Sequence, residues 1–505
     1  MAIISAPPAS EALDHLSVGD LEQLLDPVTT RSGEALTFRN WATTFRSDAT
    51  AVFRPTSVQQ VRYAVELARR QNRTIRAAGA GHSPSDIVCT GGYILDLKGL
   101  EKVIDVDGDA MTFHAEGGIL LRNLHPIILE RGDLALSSLG SISDQTLAGA
   151  LSTSTHGSGV TYSSISTYAT FLDIVLPVPN APVVRVSRQA DQDPDLFYSA
   201  LCGLGAVGIV VGVGMRAEKA FKLEEELFTM RFDEFTARWQ EIAESAEHVR
   251  CWWYPQVARV KISRLNRTDK AVTRRPSAVV SYLQDIVLAK HIHAIVLSAA
   301  RYFPSLLPYH AWFMWTFREQ PGPEPTYRVD WGVNIFNYDC GFPQYTYESC
   351  IPYEATGAAL NELHRWHTHE LAKPGYPLRA HFPVEIRYAA KDEAWLSPTG
   401  SGPGCYLGAI QYRPFNLPVP YRDYFARFSS ILFSLFSGKP HWAKTHTLTP
   451  ADLRKLYPRF DDFLAVRERV DPERVLANEY VKRHLLGEVP PAQMAQQGRR
   501  WKERA

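Results

Sequence analysis

The earliest clear periodicity in the chain is helical. Val58, Val61, Val65 and Ala68 recur at three- and four-residue spacing, with the capping residue Ser57 before them and the basic pair Arg69-Arg70 at the end. The pattern predicts a helix that delivers the chain into a short strand, Thr74-Ile75-Arg76-Ala77-Ala78. Apolar runs bounded by turn residues predict further strands at 92–97, 111–116 and 174–178. Residues 1–34 read as an acidic, partly helical lead-in, because dense apolar patterning begins only at Thr37-Phe38-Arg39-Asn40-Trp41. Beyond Arg216, the acidic run Glu224-Glu225-Glu226 and a helical stretch over 232–247 suggest a second domain, and 450–470 reads as a final helical segment packing back on the first. The expected division is therefore a lead-in at 1–34, a first domain at 35–216, a second at 217–449 and a closing segment at 450–505, in an α+β chain with many strands. Residues 279–317, rich in apolar and aromatic side chains with scattered Lys, Arg and His, predict a buried helical hairpin, with a membrane-surface patch as the alternative.

Two glycine-rich runs interrupt this patterning. Gly203-Leu204-Gly205-Ala206-Val207-Gly208 matches G-x-G-x-x-G, but the β-branched run Ile209-Val210-Val211-Gly212-Val213 follows it. That run predicts a strand where a Rossmann fingerprint requires a helix. The other run, Gly79-Ala80-Gly81-His82-Ser83-Pro84-Ser85-Asp86, follows the predicted strand 74–78. Its glycines permit close backbone approach, so successive N–H groups can converge on an anion such as a pyrophosphate. His82 at its tip is either a turn residue or a neutral imidazole able to bond an electrophilic carbon.

Composition narrows the partners. Lys+Arg and Asp+Glu are equal at 54 each over 505 residues, so no global basic field points to nucleic acid. Six cysteines are scattered without a C-x-x-C and read as reduced structural thiols inside a cell. The first basic residue is Arg31, which leaves no charged start for a secretory or transit peptide, and no apolar stretch reaches the roughly 18 residues of a membrane span.

Alternation in His381-Phe382-Pro383-Val384-Glu385-Ile386-Arg387-Tyr388 predicts a strand with Phe382, Val384, Ile386 and Tyr388 on one face and Glu385 and Arg387 on the other. Such a pair is either a surface ion pair or a device in which the carboxylate accepts a proton and the cation stabilises negative charge. Gly438-Lys439-Pro440-His441-Trp442-Ala443-Lys444 adds cations and a histidine beside an aromatic ring. A metal reading of His364, His367, His369 and Glu370 is weak, because His369 lies off the helical face that His364 and His367 share, and no metal is expected. Neither G-x-S-x-G nor a phosphate-loop motif occurs.

Taken together, Gly79 to Cys89, Gly140-Ser141-Ile142-Ser143-Asp144-Gln145-Thr146 with Ser154-Thr155-His156-Gly157, and His441-Trp442-Ala443-Lys444 resemble the signatures of the FAD-dependent sugar-1,4-lactone oxidases, within the vanillyl-alcohol-oxidase type of flavoproteins. Phe336-Asn337-Tyr338-Asp339-Cys340, Phe342-Pro343-Gln344-Tyr345 and Cys251-Trp252-Trp253-Tyr254-Pro255 are most similar to the fungal D-arabinono-1,4-lactone oxidases, with L-gulono-1,4-lactone oxidases nearly as close.

The resemblance implies an FAD-binding domain and a mixed α+β substrate domain. It implies FAD carried by His82 through an 8α-histidyl bond, with Ala78, Gly79, Ala80, Gly81, Ser83, Ser141, Ser143, Asp144 and Thr146 around the diphosphate. Gly149, Ser152, Thr155, His156 and Gly157 would lie nearby, and Gly208, Ile209 and Val210 would edge the cofactor. Glu385 and Arg387 would bind and activate the C2 hydroxyl of a sugar lactone, Glu385 as base or as orienter, with Lys444 as an electrostatic stabiliser and His441 shaping the same wall. The lactone would become an ascorbate-like ene-diol, and dioxygen would be reduced to hydrogen peroxide. Gly140 bears on oxygen, since a small residue there accompanies oxidase behaviour. The alternatives are an alditol or sugar oxidase and a lactone dehydrogenase using another acceptor. The expected location is cytoplasmic, or peripheral on an organelle membrane such as the mitochondrial one.

Overall fold

In the computed structural model, which describes residues 11–274, 291–320, 324–338, 342–376, 378, 380, 381 and 383–489, the helix behind Ser57 runs Val58–Arg70. The Ser57 side chain accepts from the Gln60 N–H, which satisfies one of the helix's otherwise orphaned donors. Val61, Ala64, Val65 and Ala68 are buried against a small sheet of order Thr29–Thr30, Ala51–Phe53, Tyr93–Asp96, Ile75–Ala78. Tyr93–Asp96 runs parallel to both of its neighbours, and the helix makes the crossover between Ala51–Phe53 and Ile75–Ala78.

A second, antiparallel sheet has the order Val183–Ser187, Ala169–Val175, Ile209–Arg216, Thr112–Glu116, Val103–Asp107. The glycine run at 203–208 leads straight into Ile209–Arg216, as the β-branched residues predict. Arg76 ties these parts together: its buried guanidinium donates to the carbonyls of Ile87, Leu204, Gly205 and Leu476. The closing segment supplies helices Pro450–Leu456 and Phe460–Val470, whose Leu453, Phe460 and Phe463 share a core with Phe197 and Leu201. Arg469 also pairs with Asp193 at 2.8 Å.

The third sheet is antiparallel throughout and has eight strands, in the order Thr326–Trp331, Lys222–Arg231, Arg259–Thr268, His248–Tyr254, Val384–Ala389, Gly404–Tyr412, Gln344–Pro352, Lys439–Pro440. Val384, Ile386, Tyr388 and Leu407 are buried in one core with Leu363 of helix Thr356–Leu371 and Phe428 of helix Arg422–Phe436. Successive strand residues point to opposite faces, so Glu385 and Arg387 face away from that core. Phe382 lies outside the described residues.

The acidic run 224–226 belongs to a ten-residue strand, Lys222–Arg231. Two expectations change. The helical stretch over 232–247 is two short helices, Phe232–Ala237 and Trp239–Ala243, broken at Arg238, where Trp239 packs edge-on against Tyr353 at 5.0 Å. The apolar hairpin is buried on one face only. Within its described part, helices His293–Ala300 and Leu306–Met314 bury Ala294, Leu297 and Leu307, whereas Tyr302, Phe303, Tyr309, Trp312 and Phe317 are exposed. Residues 279–290 of that region lie outside the described residues. Among the described residues, no helix is long and apolar enough to cross a membrane.

The many bonds of Arg76 make a stability prediction. Arg76→Met would strand buried carbonyls, and the cost should be on the order of 3 kcal/mol. Urea unfolding of the variant should therefore show a clearly lowered midpoint; an unchanged midpoint would contradict the role given to this side chain.

Candidate active site

A cleft runs between the first two sheets and the polar face of the third. Its near wall is the loop that leaves strand Ile75–Ala78: Ala78, Gly79, Ala80, Gly81, His82 and Ser83 all line it. Gly81 has φ +71°, a left-handed backbone suited to glycine. A Cβ on Gly79 would lie 2.2 Å from Thr146 Oγ1, so only glycine lets this loop meet the 140–146 segment so closely. Thr146 in turn caps helix Leu147–Ser152, its side chain accepting from the Gly149 N–H.

His82 stacks on Trp41 with ring centroids 5.3 Å apart. Burial lowers its pKa and so favours the neutral ring. Its Nδ1 is buried and has no hydrogen-bond partner.

Gly140, Ser141, Thr146, Gly149, Ser152, Thr155 and His156 line the cleft beyond the loop, with Gly208, Ile209 and Val210 along its edge. Ser143, Asp144 and Gly157 make contacts of their own beside this lining. Asp144 is engaged in an ion pair with Arg122, and the Ser143 carbonyl accepts from the Arg122 N–H at 3.1 Å. Gly157 is a packing position, where a Cβ would come within 2.0 Å of Ser138 Oγ.

The far wall is built by alternation on the third sheet. Gln344, Thr346 and Glu348 come from one strand, Gly408 and Ile410 from the next, and Glu385 and Arg387 from the third. Arg387 is buried and donates through Nη2 to Glu385 Oε1 at 2.6 Å and to Ser141 Oγ. Burial opposes its charge, but Glu385 beside it, with Tyr338 and Glu348, keeps the guanidinium firmly protonated. The Tyr338 hydroxyl donates to Glu385 Oε1 at 2.8 Å. This is no surface ion pair.

His441 and Lys444 also face the cleft, while Trp442 between them turns into the core and donates from Nε1 to the Leu396 carbonyl. Burial pushes His441 down to about 3, so its ring is neutral. Both residues gather round Glu348. The His156 Nε2 lies 3.3 Å from Glu348 Oε1, and Lys444 Nζ lies 3.8 Å from Oε2. Burial works against the Glu348 charge, yet the bond to His156, with His441 and Lys444, holds the carboxyl well below its ordinary range.

Glu348 was not among the residues expected from sequence, although the polar alternation of Gln344, Thr346 and Glu348 against Tyr345 and Tyr347 is a readable signal. His156, Glu348 and His441 bring potential metal ligand atoms within 4.8 Å of one another, but the lysine beside them already supplies the positive charge. Of the weak metal candidates, His364 and His367 share a helix face and pack on Trp253, whereas His369 is exposed.

The D-arabinono-1,4-lactone oxidase family profile matches residues 213–484, and an FAD binding domain profile matches residues 49–187. The chain belongs to the D-arabinono-1,4-lactone oxidase family. It is 31% identical to the L-gulonolactone oxidase of Bos taurus, over 88% of this chain and 97% of that one. It is 34% identical to a putative D-arabinono-1,4-lactone oxidase of Neurospora crassa, over 90% and 87%, and 28% identical to an L-gulono-1,4-lactone dehydrogenase of Mycobacterium tuberculosis, over 88% and 98%. Among solved structures, cholesterol oxidase from B. sterolicum matches with a TM-score of 0.76 over 89% of this chain and 96% of that one, at 17% identity. That likeness gives the fold, the vanillyl-alcohol-oxidase type of FAD-binding architecture. The site suits FAD on its own terms: a glycine-tight double loop in the matched domain, and a buried histidine nitrogen without a partner at its mouth.

Proposed function

We propose that the protein is an FAD-dependent oxidase of aldono-1,4-lactones, acting at the C2 hydroxyl. The observation that carries this reading is the buried Glu385–Arg387 pair facing the same cleft as the 78–83 loop. The names of the family and of its relatives supply the substrate class.

FAD, when bound, would supply a two-electron acceptor for the C2 hydride and, with dioxygen as the final acceptor, a route to hydrogen peroxide. The chain's own residues do the rest. The backbone of 78–83 and of the 141–146 segment would hold the diphosphate, and His82, neutral and unpartnered at Nδ1, would carry the flavin through an 8α-histidyl bond. Glu385 would accept the proton of the C2 hydroxyl, and Arg387 would stabilise the negative charge left on that oxygen. Lys444 would add a second cation on the same wall, and neutral His441 would shape it. The 2-keto lactone that results can tautomerise to an ene-diol.

Gly140 favours the oxidase over a dehydrogenase. It lines the cleft without a side chain, and a Cβ there would crowd Thr155 Cγ2 at 3.1 Å and narrow the wall along which dioxygen would approach.

A substrate panel tests the reading. D-arabinono- and L-gulono-1,4-lactone should bleach the flavin without oxygen and yield peroxide with it, while open-chain alditols should do neither. Bleaching by alditols alone would overturn the lactone assignment, and bleaching without peroxide would overturn the oxidase. The tether is tested separately. His82→Ala should remove acid-stable flavin fluorescence from the denatured polypeptide; fluorescence that stays with the chain would assign the bond to another residue.

A further inference from the structure

We propose that Tyr338 is a positioning residue that commits Glu385 to the use of one carboxylate oxygen. The inference rests on the role given above to Glu385. Tyr338 follows helix Gly332–Phe336 and is held from several sides. Its N–H donates to the Ser141 carbonyl at 2.9 Å, so it is anchored to the cofactor-side loop. Arg250 donates to the carbonyls of Ile335 and Phe336, each at 3.1 Å, and its guanidinium lies 5.4 Å from the Tyr338 ring. Trp252 closes the same ring edge-on at 6.3 Å.

The phenol so placed donates to Glu385 Oε1 at 2.8 Å, the same atom that receives Arg387 Nη2 at 2.6 Å. Both protein donors therefore converge on Oε1, and Oε2 is the oxygen left for substrate. A carboxylate held by one donor can turn about its last bond, because that torsion is broad. Two donors arriving at one oxygen from different segments remove that freedom. The Tyr338 hydroxyl also keeps Oε1 from competing for the substrate O–H, so the proton of the reacting hydroxyl has a single destination. Tyr338 itself exchanges no proton with substrate. It fixes the geometry in which Glu385 Oε2 gains the proton as the C2–H departs.

The test uses the flavin-loaded enzyme, mixed rapidly with lactone in the absence of oxygen. Tyr338→Phe should lower the limiting rate of flavin reduction about 10- to 100-fold, the range expected of a misaimed reacting group. Lactone Kd and flavin content should stay within about twofold, since neither needs the hydroxyl. An aldonolactone lacking the 2-hydroxyl should perturb the flavin spectrum with the same Kd in both proteins.

In a Glu385→Gln background, Tyr338→Phe should change the rate by less than about twofold, because it acts only through that carboxylate. An unchanged rate in the single variant, or losses that multiply in the double variant, would overturn the proposal. Wild-type enzyme reduced by alditols but not by lactones would overturn the lactone reading instead, and the same comparison would then be made with the alditol.

Discussion

The site depends on one buried cation. Arg387 sits in the low-dielectric seam between the polar face of the third sheet and the loops of the first domain, where an unpaired charge would be costly. Its partners come from separate parts of the chain: Glu385 from its own strand, Ser141 from the cofactor-side loop and Tyr338 from beyond the helix Gly332–Phe336. All three contacts are made through Nη2, while Nε is buried without a hydrogen-bond partner. Docking the third sheet against the cofactor-side loop therefore registers the Glu385–Arg387 pair, already formed within one strand, against Ser141.

That arrangement separates two tasks. His82, stacked on Trp41 in the 78–83 loop, stands on the first domain, and the proposed substrate-activating groups stand on the third sheet. Between them, His156 and Glu348 link the two walls: His156 reaches across from the first domain to a carboxylate on the sheet, and stacks on Tyr406 at 3.5 Å. Lys444 is drawn to the same carboxylate. The polar face of the sheet thus carries balanced charges, Arg387 with Glu385 and Lys444 with Glu348, opposite the glycine-rich loops at 78–83 and 140–149.

Local periodicity made several elements legible. The spacing of Val58, Val61, Val65 and Ala68 is a helix in the structure, the β-branched run after Gly208 is a strand, and alternation put Glu385 and Arg387 on the face opposite Val384 and Ile386. What was hidden is set by tertiary contact. Tyr338 was visible only as part of a family motif, because its partners are distant: Ser141 is far away in sequence, and Glu385 lies on another strand. Glu348 alternates like any solvent-facing strand residue, and only the arrival of His156 and Lys444 makes it a buried anion. Within the 140–157 signature, Asp144 pairs with Arg122 and Gly157 packs on Ser138, contacts that the contiguous sequence does not announce. The aromatic region near 300 was misjudged in part because its helices are apolar nearly all round, which leaves no polar face to mark the solvent side.

The central claim is that the Arg387 guanidinium both assembles the seam and prepares the substrate hydroxyl, independently of how the flavin is held. Arg387→Lys, which keeps the charge but loses the planar fork, tests it most directly by stopped-flow flavin reduction without oxygen. The account predicts full covalent flavin, with a limiting rate lowered about 100-fold or more. A variant reduced by lactone as fast as the wild type would contradict it.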